Sequence, residues 1–169
     1  MSRKPLSYLP VPWLIPRGPE SLGDLSAMGG GVNWPASNRA IYQPFSLPLT
    51  KLVKSMSVWF ATASGNFDIG LYDSDCVVRL VSQGAASVST GFSTFSFPVP
   101  ILLEAGLRYY AGLVCSATPQ VVKWDTPAGN LRVAGLAQEA LGATTLPATA
   151  TPAQIASALQ PCIVLDFEQ

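Results

Sequence analysis

The feature that most restricts this chain is an alternation of apolar and polar side chains that begins after Arg39 and recurs in short runs almost to the last residue. Met56, Val58 and Phe60 alternate with Ser55, Ser57 and Trp59, and Phe67, Ile69 and Leu71 alternate with Asn66, Asp68 and Gly70. A period of two is the pattern of a half-buried strand. Between these runs Ala63-Ser64-Gly65-Asn66 is short and rich in turn formers, which predicts a hairpin. Tyr72-Asp73-Ser74-Asp75 marks another turn, and a β-branched strand follows from Cys76 to Ser82 until Gln83-Gly84-Ala85 breaks it. Phe95, Phe97 and Val99 define a strand whose Pro98 points to a sheet edge or a strand end. After the turn at Glu104-Ala105-Gly106, residues 107–115 place Tyr109, Ala111 and Leu113 on one face. Residues 121–124 and 162–167 supply two more strands, the last with Ile163, Leu165 and Phe167 on one side.

Turn signals about every 8 to 12 residues, with no long amphipathic helix between them, predict an all-β fold, an antiparallel sandwich or barrel of about eight strands over residues 39–169. One helical turn is expected at Thr151-Pro152-Ala153-Gln154, where a capping residue precedes proline at the first helical position. Residues 131–141 fit strand and helix equally well.

Residues 1–38 read differently. Pro5, Pro10, Pro12, Pro16, Pro19 and Pro35 forbid continuous helix or central strand, and Gly29-Gly30-Gly31 adds a flexible joint. Yet the segment carries Leu6, Tyr8, Leu9, Val11, Trp13, Leu14, Ile15 and Trp34, apolar groups that a solvated tail lacks. An extended segment cannot bury such groups on itself, so it is expected to lie on its own domain or on another subunit. On the second expectation it is a docking arm with Tyr8, Trp13 and Trp34 as anchors. The prolines also interrupt what would be the apolar helix of a secretion signal after Arg3-Lys4. No stretch supplies the roughly 20 predominantly apolar residues of a membrane span.

Composition then narrows the function classes. Of 169 residues 12% are charged, about half the usual ~25%, and ten Lys+Arg balance ten Asp+Glu. With no net charge there is little self-repulsion, and the basic residues are too dispersed to serve a nucleic-acid groove. The chain has no histidine, which removes every mechanism needing an imidazole base or ligand within it. A non-enzymatic protein without a cofactor, packed against neighbours, is the expectation. Cys76, Cys115 and Cys162 are too few and too scattered for a disulfide framework and form no CxxC pair. They read as small core residues made in a reducing cytoplasm. Asp68, Asp73 and Asp75 are the only close cluster of three carboxylates, and at a turn they read as turn formers, not metal ligands. Trp59, on the polar-facing set of its strand, and Trp124 with Asp125, before a Pro/Gly loop, are the candidate ligand contacts. An exposed tryptophan on a sheet face commonly means a contact, and a sugar is one such ligand.

Three segments carry a family resemblance: Ile41-Tyr42-Gln43-Pro44-Phe45-Ser46-Leu47-Pro48, residues 61–73 and Arg79-Leu80-Val81-Ser82. Residues 103–111 and 146–151 fit the same likeness. Together they resemble a module of tailed-bacteriophage and prophage structural proteins over residues from about 39 to 168. The resemblance implies a jelly-roll-like β-sandwich located in a virion, as a capsid decoration, fibre or tail-attachment component. Its partners would be other virion proteins, with a homo-oligomer as a further option. A host-surface carbohydrate-binding module displayed on the particle is the alternative.

Overall fold

The computed structural model describes residues 15–17, 28–124, 136–154 and 159–168. Thirteen strands lie among them. In chain order they are β1 (Ile15–Arg17), β2 (Met28–Asn33), β3 (Arg39–Ser46), β4 (Lys51–Phe60), β5 (Asn66–Tyr72), β6 (Arg79–Ser82) and β7 (Ala86–Ser87). They continue as β8 (Gly91–Leu103), β9 (Arg108–Cys115), β10 (Gln120–Trp124), β11 (Ala137–Ala140), β12 (Ala153–Gln154) and β13 (Ile163–Phe167). The first sheet runs β1-β13-β4-β10-β2 with β8 on the other side of β4, and the second runs β12-β11-β3-β9-β5-β6 with β7 beside β5. Leaving out the additions, the orders β2-β10-β4-β8 and β3-β9-β5-β6 are those of a jelly roll, an antiparallel β-sandwich whose chain keeps crossing from one sheet to the other. Among the described residues no helix is long and apolar enough to cross a membrane.

The core follows from the alternation. Val53, Met56, Val58 and Phe60 of β4 face Phe67, Ile69 and Leu71 of β5 and Ala111 and Leu113 of β9, all buried. Phe60 and Phe67 meet edge to face with centroids 5.1 Å apart, so they lock the two layers together. The expected hairpin between these strands is therefore not formed. β4 lies in the first sheet between β8 and β13, while β5 lies in the second beside β9. Residues 61–65 make a corner instead. Ala61 N–H donates to Gln120 O at one end, and Ser116 N–H donates to Asn66 O at the other. Gly65 sits between them at φ +69°, with Ser116 Oγ only 2.6 Å from where a Cβ would be. Two facing strands and two paired strands bury their apolar residues with the same period, so the pattern alone fits both.

The expected boundary at residue 38 also moves. β2 belongs to the first sheet, pairing Asn33, Val32 and Gly31 with Gln120, Val121 and Val122. The glycine run is strand, not joint, and position 31 needs glycine because a Cβ there would come within 2.7 Å of Ala61 Cβ. Trp34, expected as a docking anchor, is 1% exposed in the sandwich core. Its backbone N–H donates to Pro119 O and its indole N–H to Arg39 O at 2.9 Å. Even β1 adds to the first sheet, parallel to β13.

Smaller expectations divide. The strand expected from Cys76 begins only at Arg79, because Asp73 Oδ1 accepts the N–H groups of Val77 and Val78 and closes the turn. β8 is an edge strand among the described residues, as its proline predicts, with residues 97–100 bulged opposite Lys54. Where a helical turn was expected, Ala153 and Gln154 form β12 on Gln138 and Ala137. There Thr151 gives its N–H and hydroxyl to Glu139 instead of capping a helix. Of residues 131–141, Ala137–Ala140 are strand β11 and residues 131–135 lie outside the described residues.

Candidate functional site

The outer face of the first sheet is built by the residues that alternate with its core set. Along β4 these are Leu52, Ser55, Ser57 and Trp59, and opposite them on β8 stand Leu102, Ser96, Thr94 and Phe92. At one end Trp59, half-buried, packs its ring on exposed Phe92 with centroids 4.9 Å apart. Trp59, Ala61 and Val164 also cover buried Val122 and Cys162. The middle is a band of hydroxyls: Ser57 and Thr94 share a hydrogen bond of 2.8 Å, and Ser55 donates to Asp166 Oδ2 at 2.9 Å. At the other end Leu52 and Leu102 form an exposed cross-strand pair. The face thus has an aromatic end, an aliphatic end and, between them, buried serine hydroxyls held by Thr94 and by the Asp166 carboxylate.

The outer face of the second sheet is closed by the chain itself. Leu146 and Ala150 are buried against Ala40, Tyr42, Tyr72, Cys76 and Val114, beneath a strap formed by residues 146–151. Asp68, wholly buried, accepts from Leu146 N–H at 2.8 Å and from Gly84 N–H at 2.9 Å, so one carboxylate ties two loops to β5. Burial pushes the Asp68 carboxyl above the usual carboxylate range, against the pull of those two N–H groups and of Arg79. The Arg79 guanidinium donates to Leu146 O, Tyr72 hydroxyl donates to Pro147 O at 2.7 Å, and Tyr42 hydroxyl donates to Glu139 at 3.0 Å. The two tyrosine rings meet edge to face at 5.1 Å. Burial raises both phenols above their usual range. Each polar side chain here holds main chain or a neighbour in place. Asp68→Asn turns an amide N–H toward a backbone N–H and orphans a buried donor. It should cost about 1–3 kcal/mol in urea unfolding and speed hydrogen exchange at Leu146 and Gly84; unchanged exchange at both would show that the clip is not what holds the strap.

All three cysteines are buried, as small core residues are. Burial pushes the Cys76 and Cys162 thiols up to about 12 and raises Cys115 as well. Cys76 also takes a left-handed backbone, φ +59°, inside the turn closed by Asp73.

Of the residues singled out from sequence, Trp59 stands half-buried on the outer face of the first sheet. Trp34 is in the core, and Trp124 ends β10 with its backbone paired to Met28. Tyr8, Trp13 and Asp125 lie outside the described residues. Sequence reasoning passed over Phe92, whose signal was its parity: it is out of phase with inward Phe95 and Phe97 on the same strand. It also passed over Asp68 as a clip, which depends on loops 16 and 78 residues away. A scan against protein-family models finds no match, and no curated protein matches the chain.

Proposed function

We propose that this chain is a non-enzymatic structural component of a tailed-bacteriophage virion, a capsid decoration, fibre or tail-attachment protein that docks on its neighbours. The observation that carries the reading is the outer face of the first sheet, where Trp59 and Phe92 stand at one end and exposed Leu52 and Leu102 at the other, while the polar groups of the opposite face are engaged in holding the strap. The likeness of residues 39–168 to phage structural modules supplies the setting. The aromatic-rich sequence that precedes β2 carries Tyr8 and Trp13 as further candidate anchors.

A well-packed aromatic anchor is worth about 2–4 kcal/mol, so Trp59→Ala combined with Phe92→Ala should reduce incorporation into particles by at least tenfold while the soluble protein keeps its fold. Quantitative mass spectrometry of purified particles reads both presence and copy number. Dozens to hundreds of copies would put the chain on the capsid, and three to twelve on the tail or neck. Absence from particles, or turnover of a host polysaccharide, removes the reading. Binding of the isolated chain to a host polysaccharide, lost in Trp59→Ala, would replace docking with carbohydrate recognition at the same aromatic pair.

A further inference from the structure

We propose that the strap, residues 146–151, is the built-in occupant of a peptide groove on the second sheet. It leaves the groove as one unit while the sandwich stays folded, and the groove then takes an extended peptide of the same pattern from a partner. The strap is held by its main chain, as an extended peptide ligand is. Val78 and Thr149 form an antiparallel bridge, with Arg79 N–H donating to Ala148 O at 3.0 Å and Ala150 N–H to Val77 O at 2.8 Å. Side chains engage the rest: the Arg79 guanidinium and Tyr72 hydroxyl donate to Leu146 O and Pro147 O, while Asp68 and Glu139 accept from the N–H groups of Leu146 and Thr151. Leu146 is the anchor. A Cβ on Gly112 would meet Tyr72 Cε2 at 3.1 Å, Tyr42 Cδ1 at 3.2 Å and Leu146 Cδ1 at 3.3 Å, so a bare glycine floors the socket in which the leucine meets both rings.

Three observations favour release of the strap without loss of the fold. Of residues 142–153 only Leu146 and Ala150 are buried, and a segment with so few buried apolar contacts opens at a much lower free energy than the whole domain. Their cluster is also separate from the main core, which β3, β5 and β9 build with their other faces through Ile41, Ile69 and Leu113. Opening returns the wholly buried Asp68 carboxylate to water, which offsets part of the hydrogen bonding lost. The segment already seated in the groove defines the partner that fits it. That partner is an uncharged, extended peptide with leucine, then proline, and a small residue four positions after the leucine. The two positions between are tolerant, since Ala148 and Thr149 are exposed. The inference stands apart from the virion reading, because the strap can open whether or not the chain enters a particle.

Hydrogen exchange of the full chain should show the Leu146 and Ala150 amides opening together, roughly a hundredfold faster than those of β9. Leu146→Ser empties the socket. It should open Cys76, buried in the same cluster, to an alkylating reagent at pH 8 while Cys115, in the main core, stays unlabelled. The capped hexapeptide Leu-Pro-Ala-Thr-Ala-Thr, with one leucine anchor, should bind this variant with a Kd of about 1 mM. At about 10 mM it should slow the labelling of Cys76 roughly tenfold, and the same peptide with serine in place of leucine should leave the rate unchanged. Strap amides that exchange no faster than those of β9 overturn the inference. So does labelling of Cys115 in step with Cys76 in the variant, because the sandwich then opens with the strap. A leucine peptide that gives Cys76 no protection at that concentration is equally fatal.

Discussion

Trp34→Ala is expected to cost about 3–5 kcal/mol of folding stability, a large part of the ~5–15 kcal/mol that holds a domain of this size together. The indole fills the corner where β2 hands over to β3 and lies in one cluster with Ile41, Phe60 and Val121. Removing it leaves a cavity among side chains held by two sheets, which cannot collapse around the gap. The truncation also removes the N–H that satisfies Arg39 O. Urea denaturation should show the midpoint falling with the slope unchanged. Trp59→Ala, on the outer face, should cost far less by the same measurement. If the two variants were equally mild, Trp34 would belong to the arm after all and β2 would not be part of the working sandwich.

Alkaline unfolding is the second large effect. In the folded state the Cys76 and Cys162 thiols are pushed from 9.0 up to about 12, and Cys115 is raised too. An unfolded chain releases those protons as the pH passes 9, whereas the folded chain keeps them. The stability they contribute is thus fully present below pH 9 and is lost as the pH climbs toward 12. Each group costs about 1.4 kcal/mol per pH unit across that window. Three thiols therefore remove about 8 kcal/mol by pH 11, and the two buried phenols, Tyr42 and Tyr72, add to the loss above pH 10. Cooperative unfolding between pH 10 and 11 is expected from circular dichroism. Replacing all three cysteines with alanine should flatten the slope of stability against pH between 9 and 10. An unchanged slope in that variant would mean that the thiols are not the cause. The native protein should also leave its thiols unreactive toward a disulfide reagent at pH 8, since a neutral buried thiol is a poor nucleophile.

Much of the inside-versus-outside assignment was legible beforehand. The alternation placed Met56, Val58 and Phe60, then Phe67, Ile69 and Leu71, and finally Ile163, Leu165 and Phe167 on inward faces, where the structure has them. The turn residues at Asp73 and Gly106 were legible as well, because a side chain that accepts from its own backbone, or a φ of +76°, is a local property. The candidate site was legible in half. Trp59 stood out by its phase, but Phe92 gained meaning only when β8 was laid beside β4.

What the chain's residues decide by themselves is which side of a strand faces oil and where the backbone bends, since both depend on dihedral angles and on neighbours one or two positions away. Which strand lies beside which is decided by the whole molecule. Period two is shared by every strand here, so β4 could equally pair with β5 or face it across the core, and only the summed packing of Phe60, Phe67 and their distant neighbours selects one arrangement. The same reason put Trp34 in the interior and turned the glycine run into strand β2: their partners, Pro119 to Val122, lie nearly ninety positions further along the chain.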